Sequence, residues 1–480
     1  GNFMALSPRS TSAVEPFSFA PSQAFEGNDG AWSTFVIRVG TPAQVFRVFI
    51  STTSEERWVP VPEGCLSTDP INCGALRGVL PFEGQESSGF QINASSTWIP
   101  VNLYELGLDA DLNYTGNGEY GFDTVGLQIT DSGGVTLNDS IVAGIATKDF
   151  YLGEFGLGPK PTNFTTFDNP QQSFMWSLRN QSLIPSLSWG YTAGASYRFK
   201  GVPGSLTLGG YDKTRFTANN MTFSFSSDDS KPLTVGLQAI EATNTFDGTV
   251  SLLPPDGILS FIDSTVPEIW LPESASTGGE TISINLPYAA FDLQATYPIF
   301  PNATNYFPLR RAANQSQYTL GRTFLQEAYV IADYNRSTFS VSQSLFNENS
   351  TEKIIPIYPP FAKTTHSGMP KNTLMAITIA VLAGAMLLTA GLITLCLVKK
   401  RRRLRLRTSN ATTATTIVDK DAPEVVFRQS GGYGGNVTNV MEMSAREPYP
   451  EMTADERNLR HELPGKDRII ELPAEFFDRR

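Results

Sequence analysis

Short apolar runs separated by turn-forming residues dominate the chain from Gly30 to Phe346. Thr34-Phe-Val-Ile-Arg-Val39, Val45-Phe-Arg-Val-Phe-Ile50 and Ser205-Leu-Thr-Leu208 are rich in β-branched and aromatic residues. Gly, Pro, Ser, Thr, Asn and Asp crowd the intervals between such runs. Regular spacing of this kind predicts short strands and an all-β domain. Few stretches suit long helices, the better candidates being Phe174 to Asn180 and Arg322 to Val330.

The pattern changes at Leu374. Leu374 to Val398 carries no charge. At about 1.5 Å per residue this segment is long enough to cross a hydrocarbon core of about 30 Å. Lys399, Lys400, Arg401, Arg402, Arg403, Arg405 and Arg407 follow it at once. A basic cluster marks the cytoplasmic end of a span. The expectation is therefore a single-pass type I membrane protein with an extracellular or lumenal ectodomain. A buried core helix is the competing reading, disfavoured because such helices rarely run this long without a polar face. Gly1 to Glu15 shows no apolar h-region, so the chain reads as processed or truncated. Thr408 to Arg480 lacks apolar periodicity and reads as a disordered cytoplasmic tail. The expected organisation is an N-terminal segment (1–29), an N-terminal β lobe (30–193), a C-terminal β lobe (194–346), a juxtamembrane stalk (347–373), a transmembrane helix (374–398) and a tail (399–480).

Charge and residue usage then remove whole classes of function. The formal net charge of −11 argues against a nucleic-acid partner. The chain has two histidines, His366 and His461, both outside the β-rich part. No Ser-His-Asp or Cys-His arrangement can form there, nor a histidine-based zinc site. There is no P-loop and no dinucleotide-binding glycine fingerprint. No metal or cofactor is expected. Of the three cysteines, Cys396 ends the apolar run, where it is either an idle thiol or a palmitoylation site. Cys65 and Cys73 lie close together in a turn-rich stretch and read as one short-loop disulfide made in an oxidising compartment, with two free thiols as the alternative. Glycosylation sequons at Asn93, Asn113, Asn138, Asn163, Asn180, Asn220, Asn302, Asn314, Asn335 and Asn349 fit the same side of a membrane.

Two segments of the β-rich part match each other. Phe49-Ile50-Ser51-Thr52-Thr53 precedes Trp58-Val59-Pro60, and Phe261-Ile262-Asp263-Ser264-Thr265 precedes Trp270-Leu271-Pro272. The interval from Ser51 to Trp58 equals that from Asp263 to Trp270. An apolar strand feeding a polar turn, once per half, indicates duplication and two lobes that bring their turns to a shared cleft.

These segments stand in an ordered series. Val39-Gly40-Thr41-Pro42-Ala43-Gln44 precedes the first turn, and Tyr114-Thr115-Gly116-Asn117-Gly118 and Gly121-Phe122-Asp123-Thr124-Val125 follow it. Phe155-Gly156-Leu157-Gly158, Gly204 to Asp212, Leu320 to Leu325 and Tyr329 to Asp333 complete the series. In that order the chain resembles the pepsin-like aspartic proteases over roughly Gly30 to Phe346. The resemblance implies a bilobal all-β fold with a long cleft for an extended peptide. It places Ser51 and Asp263 at the paired catalytic positions and Tyr114 on the flap.

The chain departs from that family where the chemistry lies. The family needs one Asp from each lobe, two carboxylates about 3 Å apart that share a proton. Asp263 supplies the second, but Ser51 stands at the first, and a serine hydroxyl is no general base at neutral or acid pH. Thr53 and Thr265 occupy positions where the family has glycine, so the cleft floor is expected to be crowded. A glycan on Asn113 would hinder flap closure. The expectation is a catalytically impaired, membrane-anchored relative whose cleft binds a peptide or cell-surface ligand and whose tail meets a cytoplasmic partner. A working endopeptidase with an unusual site and a structural glycoprotein with a vestigial cleft are the alternatives.

Overall fold

The computed structural model describes residues 13–164, 169–244, 248–251, 257–272, 281–347, 351–360 and 399. The expected span at 374–398, the tail beyond Lys399, Cys396 and Asn349 lie outside them. Among the described residues no helix is long and apolar enough to cross a membrane. Gly1–Ser367 clusters as one unit.

The first half builds an eight-stranded sheet. In spatial order its strands are Pro21–Glu26, Trp32–Val39, Gln44–Ser51, Gly153–Gly156, Arg57–Pro60, Thr136–Ile145, Asn117–Leu127 and Ile99–Glu105. Strand Trp32–Val39 also pairs with Asn117–Leu127, which curls the sheet onto itself. The apolar runs seen in sequence become burial: Phe35, Ile37, Val39, Phe46, Val48 and Ile50 are all buried. The second half builds a five-stranded sheet from Thr234–Leu237, Ile258–Ile262, Thr319–Leu320, Ile269–Leu271 and Leu309–Arg311.

The two sheets repeat one connection pattern. Gln44–Ser51 runs parallel to Gly153–Gly156, which lies antiparallel to Arg57–Pro60, itself parallel to Thr136–Ile145. Ile258–Ile262 runs parallel to Thr319–Leu320, which lies antiparallel to Ile269–Leu271, itself parallel to Leu309–Arg311. A later strand is thus inserted between the arms of each turn, in both halves. The matched sequence segments occupy the same places in the two patterns, as duplication requires.

A six-stranded sheet joins the halves, with Phe17–Phe19, Val202–Leu208, Ser188–Ala195, Ala328–Asp333, Thr338–Gln343 and Phe223–Ser224 in that order. Phe19 packs on Phe35 and Phe155, and Phe155 meets Phe174 edge-on at 5.4 Å. These rings belong to one buried cluster that runs on to Trp189, Ile262 and Leu320. Helix Phe174–Asn180 forms as expected, capped by the Ser173 hydroxyl accepting from the Trp176 amide. The helix expected over Arg322 to Val330 does not: only Arg322–Leu325 is helical, and Ala328–Asp333 is a strand. The apolar run Tyr329-Val330-Ile331 is paired on both edges, so pairing and burial on two faces override the helical spacing.

Cys65 and Cys73 are bridged. The bridge closes a short loop whose main effect is to restrict the unfolded chain, by about 2–3 kcal/mol. Cys65→Ser with Cys73→Ser is expected to lower the melting temperature of the full-length protein by several degrees. Mass mapping of the unreduced wild type should recover the linked peptides, and free thiols at both positions would contradict the bridge.

Candidate active site

Each polar turn sits at the end of a buried strand. Ile50 delivers Ser51, and Ile262 delivers Asp263. The inserted strands fix the turn roots: Leu157 N–H donates to Ser51 O at 2.9 Å, and Asp263 N–H donates to Leu320 O at 3.1 Å. The turns then grip one another. Thr52 N–H donates to Ser264 Oγ at 2.9 Å and Ser264 N–H donates to Thr52 Oγ1 at 3.0 Å. Ser264 Oγ–H donates to Ile50 O at 2.6 Å, so both halves of that hydroxyl's capacity are used across the interface.

Ser51, Thr53, Asp263 and Thr265 are brought together above this grip. Thr53 Oγ1 donates to Asp263 Oδ1 at 3.0 Å, and the Thr265 amide donates to the same oxygen at 2.9 Å. Ser51 Oγ lies 2.9 Å from Thr265 Oγ1 and 3.1 Å from Thr53 Oγ1, and accepts from the Ser54 amide at 2.9 Å. The two threonine hydroxyls are 3.3 Å apart. Ser51 therefore reaches Asp263 only through threonine hydroxyls. Neither threonine adopts positive φ, so the loss of glycine shows as filled space rather than backbone strain. Ser51 and Asp263 are fully buried.

Tyr114 lies in the 106–116 connection of the hairpin formed by Ile99–Glu105 and Asn117–Leu127. It packs 5.4 Å from Phe150 and beside Leu112, which is buried against Val266 and Trp270. The hairpin tip thus covers the second turn. Burial pushes the Tyr114 hydroxyl's pKa well up, with Glu268 and Asp29 adding to the shift. Asn113 is exposed while its neighbour Leu112 is buried.

Three charged residues at the site escaped the sequence reading. Arg322 is buried with its guanidinium between the Trp32 and Phe49 rings. It donates to Ser264 O and Thr265 O and pairs with Asp29 at 2.7 Å. Burial opposes its charge, but Asp29 and further acids more than compensate and raise its pKa. Asp109, in the hairpin tip, adopts left-handed backbone with φ of 53°. Burial raises its pKa well above the ordinary value, and the adjoining Asp263 carboxyl raises it further. Glu154 is raised from 4.5 to about 8, by burial first and then by Asp263, with Arg322 opposing. Asp109 and Glu154 lie outside the matched segments, so only the fold reveals them. Arg322 lies inside the terminal motif Leu320 to Leu325, but nothing in that motif signals an ion pair with Asp29 far along the chain. Among the described residues no group of His, Cys, Asp and Glu is arranged to hold a metal ion.

The site can hold a proton on a carboxylate and can offer hydroxyl donors. It does not present two facing carboxylates from the two turns. Glu154 makes stability fall with pH. Its proton is held to about 8 in the folded state and to about 4.5 when unfolded, so stability is lost across that interval. Glu154→Gln removes this term. Its melting temperature is expected to exceed the wild type's by several degrees at pH 8 and to match it near pH 4. Parallel pH profiles for the two proteins would contradict the assignment.

Comparison with known proteins agrees with the geometry. The family model described as eukaryotic aspartyl protease matches residues 34–344. Secreted aspartic protease 5 of Candida albicans is 24% identical over 364 residues, covering 69% of this chain and 80% of that protein. The repeated turn pattern, the paired grip and the extent of the match agree: the chain belongs to the eukaryotic aspartyl protease family.

Proposed function

We propose that this protein is a membrane-anchored member of the family that has lost peptide hydrolysis and keeps its cleft to bind a peptide or surface ligand. One observation carries the reading: the first turn ends in Ser51, whose hydroxyl is bonded to Thr265 Oγ1 at 2.9 Å where the reaction needs a second carboxylate. Hydrolysis by this fold requires one ionised and one protonated carboxyl acting on the same water. Loss of one such partner costs about 10²–10⁴ in rate. The two threonine hydroxyls meet between the turns, and the Thr53 hydroxyl and the Thr265 amide both take Asp263 Oδ1.

Anchoring is supported by the charge-free segment Leu374 to Val398 and the basic cluster after it. A secretory route is supported by the name of the Candida albicans relative, a secreted protein, and by the disulfide. Sequon asparagines within the described residues are all exposed and open to glycosylation.

Full-length protein in detergent should release no peptides from a denatured protein substrate between pH 3 and 7. Ser51→Asp alone should gain little, because Thr53 and Thr265 still fill the floor. Ser51→Asp with Thr53→Gly and Thr265→Gly should gain more, read as peptide release and as binding of a statine-type peptide. Proteolysis by the unmodified protein that disappears in Asp263→Asn would overturn the reading.

A further inference from the structure

The two faces of the five-stranded sheet in the second half keep different company. Along Ile269–Leu271, Trp270 turns toward the site, where it packs with Val266 and Leu112 and lies 5.3 Å from the Arg310 guanidinium. Ile269 and Leu271 turn to the other face, because successive side chains of a strand alternate. Register adds Leu309, opposite Ile269, to that back face.

A cavity of about 880 Å³ opens against the back face. Its inner end is made by Val235, Ile269, Leu320, Phe324 and Val341, all buried. The segment 281–286 forms an outer wall. Ile282, Ile284 and Leu286 are half-buried against the cavity, while Thr281, Ser283 and Asn285 between them are exposed. Gln343 pins this wall to strand Thr338–Gln343. The Asn285 amide donates to Gln343 Oε1 at 2.7 Å, and Gln343 Nε2 donates to Asn285 O at 3.3 Å. An aromatic ladder leads inward from the surface: exposed Tyr288 is 6.3 Å from Phe307, which stacks on Phe291 at 5.0 Å. Among the described residues Glu241 is the one charged side chain of the lining, and it is exposed at the rim.

The chemistry of this lining selects its occupant. The aliphatic and aromatic side chains of the inner end offer water no hydrogen-bond partner. A peptide would bring backbone N–H and C=O groups that those side chains cannot satisfy. A folded partner is too bulky to reach Leu320 and Val341. Hydrocarbon meets none of these costs, and the volume falls in the range of small-molecule sites, about 300–1,000 Å³. At the rim, the Glu241 carboxylate repels an anionic head group, whereas Gln238, Ser283, Asn285 and Tyr288 offer hydrogen bonds to an uncharged one.

We propose that this cavity binds a single-chain lipid with an uncharged polar head, of the monoacylglycerol type, its acyl chain inserted to Leu320 and Phe324 and its head held at the rim. The site is separate from the cleft. It lies behind the sheet whose front face carries Trp270, uses neither Ser51 nor Asp263, and stands whether or not the cleft hydrolyses peptides.

The test uses full-length protein in phosphatidylcholine nanodiscs, irradiated with monopalmitoylglycerol that carries a diazirine at its chain end. Peptide mapping is expected to find label on the buried residues from Leu320 to Phe324 and around Val341. Ile284→Trp and Leu286→Trp each fill the outer half of the cavity. Each should lower that labelling at least about tenfold, since every CH₂ group excluded costs about fourfold in binding. Leu103→Trp, at an exposed position of the first half, should leave it unchanged. The same lipid should raise the melting temperature of the wild type and of Leu103→Trp, but not of the filled variants. That melting series also shows which variants fold, and either filled variant suffices for the comparison. Label confined to exposed segments or to 374–398, or undiminished in a folded filled variant, would overturn the site. So would a wild type that takes no label and melts unchanged, the result expected if a segment of this chain or another protein fills the cavity instead.

Discussion

The exchange of hydrogen bonds between Thr52 and Ser264 is the constraint on which the site depends. Each residue's amide donates to the other's hydroxyl, across more than two hundred positions of sequence, and both are buried. A buried hydrogen bond contributes about 0.5–1.5 kcal/mol net, but stranding one partner costs about 1–3 kcal/mol. The grip therefore resists partial loosening: the turns meet fully or leave several buried groups unsupplied. Everything above it, Ser51, Thr53, Asp263 and Thr265, takes its position from this contact.

Given that fixed floor, chemistry is decided by few atoms. Hydrolysis by this family needs a second carboxylate at position 51. A serine there hands its hydroxyl to Thr265, and Thr53 crosses to Asp263. The floor becomes a closed hydroxyl network with one carboxylate. Arg322 braces it from below by holding the carbonyls of Ser264 and Thr265, with Asp29, Trp32 and Phe49 around its guanidinium. Asp263 Oδ2 is buried without a hydrogen-bond donor.

Much of this was legible in the residues. The short apolar runs around Thr34 to Ile50 became buried strands, and equal spacing from turn to tryptophan foretold the repeated sheet pattern. Ser51, Asp263, Thr53 and Thr265 could be named because both copies of the repeat carry the same local pattern. Arg322 and Asp109 could not. Arg322 reads locally as part of a helix start, and its role depends on Asp29 far away in sequence. Asp109 lies in a loop with no repeat partner, and only a tip folded across to Val266 and Trp270 brings it to the cleft. The helix expected over Arg322 to Val330 stops at Leu325 for a related reason: the strand Ala328–Asp333 is paired on both sides, and that is a property of the sheet and not of its own spacing.

The central claim is that the two turns form one mutually bonded unit. A double-mutant cycle on Thr52→Val and Ser264→Ala, read by thermal or denaturant unfolding of the full-length protein, tests it most directly. A mutual grip predicts strong non-additivity, with a coupling of about 1 kcal/mol or more, because either single change already strands the other partner. Additive losses within about 0.3 kcal/mol would mean that the turns do not meet as described.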